Sequence, residues 1–236
     1  MTLCRQHLPQ WFSIFIQRQV LTMSLQDDLN KAHDDFMASA PEEAKQLDMD
    51  TEEVVRSGVG KDALAVGDTI PDFILPDQLA REISSEDLRA ISPLVIKFYR
   101  GSWCPYCSLE LHALQRYLPK IEALGASLIA ISPQLPDESM STAEKYDLSF
   151  TVLSDVDNVI ARQFGLVFSL SEKIRPIYSK FGIDLPRFND TDTFELPVPG
   201  TFIVNQQGRI QAEHVSADYK QRMEPEDILA ALRELD

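Results

Sequence analysis

The chain has 236 residues, 44% hydrophobic and 25% charged, enough for one sizeable globular domain that buries its own core without disulfides or structural metals. Its net charge of −15, from 22 basic and 37 acidic residues, repels phosphate backbones and anionic lipid, which sets nucleic acid and membrane surfaces aside as partners. Three cysteines are no secreted disulfide framework, and no apolar run approaches the roughly 18–20 residues that cross a bilayer, so a reducing, cytoplasmic compartment is expected.

Residues 1–22 stand apart, with Arg5 and Arg18, no acid, and an apolar patch from Trp11 to Ile16. They read either as a targeting peptide or, preferably, as an upstream start, because Met23-Ser24-Leu25-Gln26 opens an ordinary charged helix. A helical lead-in occupies 23–60, with Leu25, Leu29, His33 and Phe36 on one stripe, a break at Pro41, and a boundary at Ser57-Gly58-Val59-Gly60.

The main domain covers 64–236. Val66-Gly67-Asp68 and Pro71 to Pro76 read as a turn entering a hairpin arm. Leu94 to Tyr99 is a buried central strand, in which Lys97 is expected to reach the surface at an edge. Helical spacing follows at Cys107, Leu111, Leu114, Leu118 and Ile121, and then come a strand at 127–132, a helix at 136–147, a strand at 151–153 and a helix at 157–164. Residues 171–182 read as helix and 184–197 as a Pro/Asp/Asn-rich loop. Thr201 to Val204 and Arg209 to His214 form an antiparallel hairpin, and a helix from Glu224 to Leu235 closes the chain. This order describes an α/β fold with a mixed sheet.

The sharpest signal is Trp103-Cys104-Pro105-Tyr106-Cys107, between a strand and a helix. Free N–H groups and the helix dipole at such a junction favour a thiolate at Cys104, and Pro105 suits the first turn because it lacks an N–H. A spacing of three brings the second sulfur within reach of a disulfide. Zinc is disfavoured because only His112 lies near as a further ligand, and inert core cysteines would not explain the aromatics, proline and junction together. His112 itself reads as a surface or half-buried histidine, Trp103 and Tyr106 as docking surface or packing, and Asp155 and Asp157 as turn and cap residues. Pro199, in Pro197-Val198-Pro199-Gly200, is the candidate for a cis-proline facing the cysteine pair.

With Val66-Gly67-Asp68, Pro71-Asp72-Phe73, Phe98-Tyr99-Arg100-Gly101-Ser102-Trp103-Cys104-Pro105-Tyr106-Cys107 and Thr201-Phe202-Ile203-Val204, the chain resembles the AhpC/TSA (peroxiredoxin-like) branch of the thioredoxin superfamily from about residue 64 onward. The resemblance implies a thioredoxin-like fold, a thiol-dependent peroxidase acting on hydrogen peroxide or organic hydroperoxides, no bound cofactor, thioredoxin or a similar reductant as partner, and pairing into homodimers. Laid on the family pattern without gaps, the peroxidatic position falls on Cys107, the acidic one on Glu110, and the Thr position on Cys104. The family's Arg coincides with Pro199, leaving Arg100 and Arg162 as substitutes. Thioredoxin logic instead makes Cys104 the attacking sulfur and Cys107 the buried resolver, so the order of attack stays open. A protein-disulfide exchanger is the rival enzyme, and a redox-sensing partner-binding protein the non-enzyme rival. Either redox reading requires at least one of the two sulfurs to meet solvent and fails if the fold buries both.

Overall fold

A computed structural model describes residues 24–235; the two readings of residues 1–22, together with Cys4, lie outside this range. The lead-in is a helical hairpin, α1 (Leu25–Ser39) and α2 (Pro41–Ser57). Ser24 caps α1 by accepting from the Asp27 N–H at 3.1 Å. Pro41 starts α2 where a missing N–H costs nothing, and Gly58, at φ 81°, ends it in the left-handed conformation. Leu25, Leu29 and Ala32 are buried in the main core, while His33 and Phe36 are only half-buried.

The expected hairpin arm is β1 (Ile74–Pro76) paired antiparallel with β2 (Glu82–Ser84), followed by α3 (Ser85–Ile91). Then come β3 (Leu94–Phe98), α4 (Pro105–Ala123), β4 (Ser127–Ser132), α5 (Pro136–Tyr146), β5 (Thr151–Ser154) and, past a single 3₁₀ turn, α6 (Val159–Gln163). Beyond these lie β6 (Val167–Ser169), α7 (Arg175–Lys180), α8 (Leu185–Asn189), β7 (Glu195–Pro197), β8 (Gly200–Val204), β9 (Ile210–Val215) and α9 (Pro225–Arg233). The segment 184–197 is therefore not a plain loop: it holds α8 and β7, whose partner is β6. A three-residue strand carries too little periodicity to declare itself, and its pairing supplies the order.

The central sheet has the order β5-β4-β3-β8-β9. β3, β4 and β5 run parallel, β8 is antiparallel to β3, and β9 returns antiparallel to β8. This is the mixed sheet of a thioredoxin-like fold, with α4 as the crossover from β3 to β4. Side chains alternate along β3: Leu94, Ile96 and Phe98 enter one core with Phe164 and Phe202, whereas Val95 and the following Tyr99 enter the other with Cys107 and Leu111 of α4. Lys97 shares the α4 face by the same alternation. Lys97 therefore does not reach the surface; β3 is central and Lys97 is 1% exposed. Its register partner on β8 is Thr201, and that of Thr201 on β9 is His214, so a polar row crosses three strands beneath α4.

Candidate active site

The cysteine motif sits on the connection from β3 to α4. Gly101 has φ +152°, and a Cβ there would meet Trp103 Nε1 at 2.3 Å, so only glycine lets the indole fold back over the turn. The Gln134 side chain holds the turn, accepting from the Ser102 N–H at 2.7 Å and donating to Ser102 Oγ at 3.1 Å. Tyr146 fixes it from α5, its hydroxyl 2.6 Å from Ser108 Oγ and donating to the Ser102 carbonyl at 3.1 Å. Cys104 is the N-cap of α4 and Pro105 its first residue. Both cysteines are free thiols.

Glu110, one turn beyond Cys107, faces the polar row. It accepts from Lys97 Nζ at 2.6 Å and from Arg222 Nε at 2.6 Å, all three side chains being buried. Lys97 also reaches Thr201 Oγ1 at 3.2 Å. Arg222 extends its second arm to Cys107, with Nη2 3.7 Å from Sγ. A carboxylate between two cations leaves one positive charge over, and the Cys107 sulfur is its neighbour. Burial by itself raises the Cys107 pKa; the hydrogen bond from the Cys104 thiol, the charges of Arg222 and Arg100, and the Arg100 backbone N–H outweigh it and lower it to about 5. Cys104 moves the opposite way, pushed well above its ordinary range by burial and then by its hydrogen bond to, and the charge of, Cys107. The helix start is therefore not enough to ionise Cys104: burial and the neighbouring sulfur push it up against the pull of Arg100 and Arg222, and it is Cys107 that Arg222 reaches directly.

The expectation of an accessible sulfur is also not met, since Cys104 is 2% and Cys107 0% exposed. A small cavity of about 20 Å³, partly open to solvent, has Arg100, Tyr178, Pro199 and Tyr219 in its wall. Cys104 shares a packed cluster with these two tyrosines. Pro199 lines that cavity, but every peptide bond among the described residues is trans, so it is not a cis-proline. The β6–β7 pairing and the Ser216 N–H, which donates to the Pro199 carbonyl at 3.3 Å, hold the segment without one.

Of the two substitutes for the family's arginine, Arg162 is on the surface and pairs with Glu195 at 2.7 Å, away from the cysteines. Arg100 is buried, its guanidinium 4.3 Å from the ring centre of Tyr219 and 5.2 Å from that of Trp103. Trp103 and Tyr106 are themselves buried, which makes them packing rather than docking surface. His112 is half-buried, 5.0 Å from the Tyr146 ring, and Asp155 accepts from the N–H groups of Ile160 and Ala161 as a cap. Sequence reasoning missed Arg222, Gln134, Tyr146, Tyr178 and Tyr219. None stands in a motif, and each is brought in by chain closure. Among the described residues no helix is long and apolar enough to cross a membrane.

Known proteins share the family and the fold of this chain. The model of the AhpC/TSA family fits residues 66–213. A putative peroxiredoxin Bcp of Haemophilus influenzae is 34% identical over 103 residues, 44% of this chain and 66% of that protein. The chain thus spans just under two thirds of the length of such curated relatives. Among solved structures, peroxidoxin BcpB of Mycobacterium tuberculosis superposes with a TM-score of 0.58 at 22% identity, covering 73% of this chain and 99% of that one. The bacterioferritin comigratory protein of Xanthomonas campestris, described for its alkyl peroxide reduction activity, gives a TM-score of 0.54 at 18% identity over 73% of this chain and 98% of that one.

Proposed function

Because the chain belongs to the AhpC/TSA family, we propose that it is a thiol-dependent peroxidase that reduces hydrogen peroxide or organic hydroperoxides through a Cys104–Cys107 dithiol/disulfide cycle. One observation carries the reading: Arg222, fixed by Glu110 at 2.6 Å, holds Nη2 3.7 Å from Cys107 Sγ and so favours the thiolate there, while burial and that neighbouring charge keep Cys104 a thiol. A peroxidase needs this division, a nucleophile ionised at neutral pH and a neighbour that still holds its proton.

In the first step the Cys107 thiolate attacks the terminal oxygen of ROOH. The O–O bond breaks, the sulfur is oxidised to sulfenic acid, and the leaving alkoxide takes a proton to become ROH. Arg222 and the Arg100 side chain stabilise the negative charge as it moves from sulfur to oxygen. In the second step Cys104 attacks the sulfenic sulfur, expelling water and closing the disulfide. An external dithiol, thioredoxin or a relative, then returns both electrons, which places the cycle in a reducing cytoplasm. Trp103, Pro105 and Glu110 are positioning residues in this scheme, and Pro199 shapes the approach.

Burial bars a protein disulfide and a peroxide alike from a sulfur at rest, and the smaller peroxide needs the smaller opening to reach it. The same burial requires the first turn of α4 to open before thioredoxin docks on the disulfide. Peroxide consumption coupled to thioredoxin, thioredoxin reductase and NADPH tests the proposal. It should run well above the uncatalysed rate and collapse in both Cys107→Ser and Cys104→Ser. Fast insulin reduction without peroxide turnover would sink it in favour of the exchanger.

A further inference from the structure

Beneath α4 the row of polar side chains runs from the cysteine pair to the edge of the sheet. Lys97 on β3, Thr201 on β8 and His214 on β9 are successive register partners, and β9 is the edge strand. Lys97 Nζ reaches Glu110 Oε1 at 2.6 Å and Thr201 Oγ1 at 3.2 Å. Arg222 Nε holds the other carboxylate oxygen at 2.6 Å, and its Nη2 lies 3.7 Å from Cys107 Sγ. In the dithiol state the charges balance, because the Lys97 and Arg222 cations face the Glu110 carboxylate and the Cys107 thiolate. Among the described residues no other carboxylate pairs with either cation. Closing the disulfide therefore leaves two buried cations on one carboxylate, which is costly. The loss of a proton relieves it. Arg222 cannot supply that proton, because a guanidinium stays protonated, whereas a buried lysine gives its proton up readily. Lys97 is buried, and burial draws its pKa down; Glu110 and the Cys107 charge oppose this, and Arg222 adds to it. Oxidation removes one of the two opposing charges.

We infer that Lys97 is the redox-coupled proton group of the cycle: it holds its proton while Cys107 is a thiolate and releases it as the disulfide closes. The Cys104 thiol, the Cys107 thiolate and the Lys97 ammonium become a disulfide and a neutral amine, giving up two electrons and two protons. Reduction of ROOH to ROH and water consumes two of each, so the count closes without a proton from solvent. The external dithiol returns both electrons and both protons. This inference rests on the Cys104–Cys107 dithiol/disulfide cycle, not on peroxide being the oxidant. His214, the next titratable side chain along the row, is half-buried and senses the change: burial lowers its pKa, the charges of Lys97 and Arg222 lower it further, and Glu110 opposes them.

The reduction potential of the full chain, measured in dithiothreitol buffers between about pH 6 and 8, counts these protons. Two protons per disulfide make the dithiol form a hundredfold easier to oxidise per pH unit, about 60 mV, and one proton only tenfold, about 30 mV. The wild type should follow the steeper line. Lys97→Met and Lys97→Arg should both follow the shallower one, the second because it keeps the charge without an exchangeable proton. Proton NMR of the His214 ring gives a second reading that needs no variant. Its titration should move to higher pH from dithiol to disulfide, since the Lys97 charge that depresses it is gone. If Lys97 kept its proton, loss of the Cys107 anion would move that titration down or not at all. A shallow wild-type line, a slope unchanged in both variants, or a His214 titration that does not rise would overturn the inference, even in a chain that turns over peroxide. No disulfide at any potential would overturn it together with the cycle beneath it. A two-proton couple that loses one proton in the variants, in a chain that turns over no peroxide, would support the inference while overturning the peroxidase reading.

Discussion

Arg222 joins Glu110 to Cys107, its Nε 2.6 Å from the carboxylate and its Nη2 3.7 Å from the sulfur. The carboxylate fixes the guanidinium plane, and the free arm of the fork points a positive charge at the thiol. A lysine would supply charge but not the second, directed donor.

Replacing Arg222 should therefore raise the Cys107 pKa and slow its chemistry. In Arg222→Gln the rate of iodoacetamide labelling at pH 6 should fall by at least about tenfold, and the peroxidase rate by roughly 10²–10³, the usual effect of removing one preorganised donor. Arg222→Lys should recover part of the labelling rate. Unchanged labelling in Arg222→Gln would show that the guanidinium does not hold the thiolate.

The pH dependence has a definite sign. Cys107 is depressed from 9.0 to about 5 in the folded protein, so its ionisation stabilises the fold fully above 9 and this contribution is lost as pH falls through 5. Labelling of Cys107 should be flat from neutrality down to about pH 6 and drop around and below 5, whereas the stability of the reduced protein relative to Cys107→Ser should decline as pH falls from about 9 to about 5 and level off below that. Labelling that rises with a midpoint near 9 would contradict the assignment, and mass spectrometry of the labelled peptide identifies which sulfur reacts.

Disulfide formation removes the anion that faces Arg222. The dithiol state is consequently favoured, and the Cys104–Cys107 couple should be a strong oxidant. Arg222→Gln should lower its reduction potential, by about 30 mV for each pKa unit that Cys107 regains. Equilibration with glutathione or dithiothreitol buffers measures this, and a potential that moves upward or not at all refutes it.

The Lys97–Glu110 pair predicts non-additivity. Glu110→Gln leaves two buried cations without their carboxylate and should cost about 3–5 kcal/mol, whereas adding Lys97→Met to it should restore part of that loss. Lys97 is already pushed downward, by burial first and against the pull of Glu110, so it surrenders its proton more readily than a surface lysine once the carboxylate is gone. Urea unfolding of the two single variants and the double variant closes the cycle; additive losses would mean that the pair is not coupled.

The lead-in should be part of the fold and not an appendage. Glu224 accepts from the N–H groups of Leu25 at 2.9 Å and Gln26 at 2.8 Å, and Lys220 pairs with Asp48 at 2.9 Å, so both helices grip the segment that carries Arg222. Leu29 is wholly buried, and Leu29→Ala should cost about 2–5 kcal/mol. Glu224→Ala should cost about 0.5–2 kcal/mol and also slow Cys107 labelling, because it loosens the approach to Arg222. A stability loss confined to α1 in hydrogen exchange, with Cys107 reactivity intact, would separate the two.

What the sequence determined by itself is the local chemistry. The alternation of β3, the apolar spacing of α4, Pro105 at the helix start, the Cys104–Cys107 interval and Glu110 one turn on are all set by periods of two and 3.6 residues, which act between near neighbours in the chain. The β8–β9 hairpin was legible for the same reason, from its Gln206-Gln207-Gly208 turn. Which sulfur is ionised was not, because the answer depends on Arg222, 115 residues beyond Cys107 in a segment without a motif. The burial of Lys97, the trans bond at Pro199 and the closure of the cysteines from solvent likewise follow from what packs against them. Electrostatic fields and solvent access act through space, and only the closed chain brings Arg222, Arg100 and the lead-in to the motif.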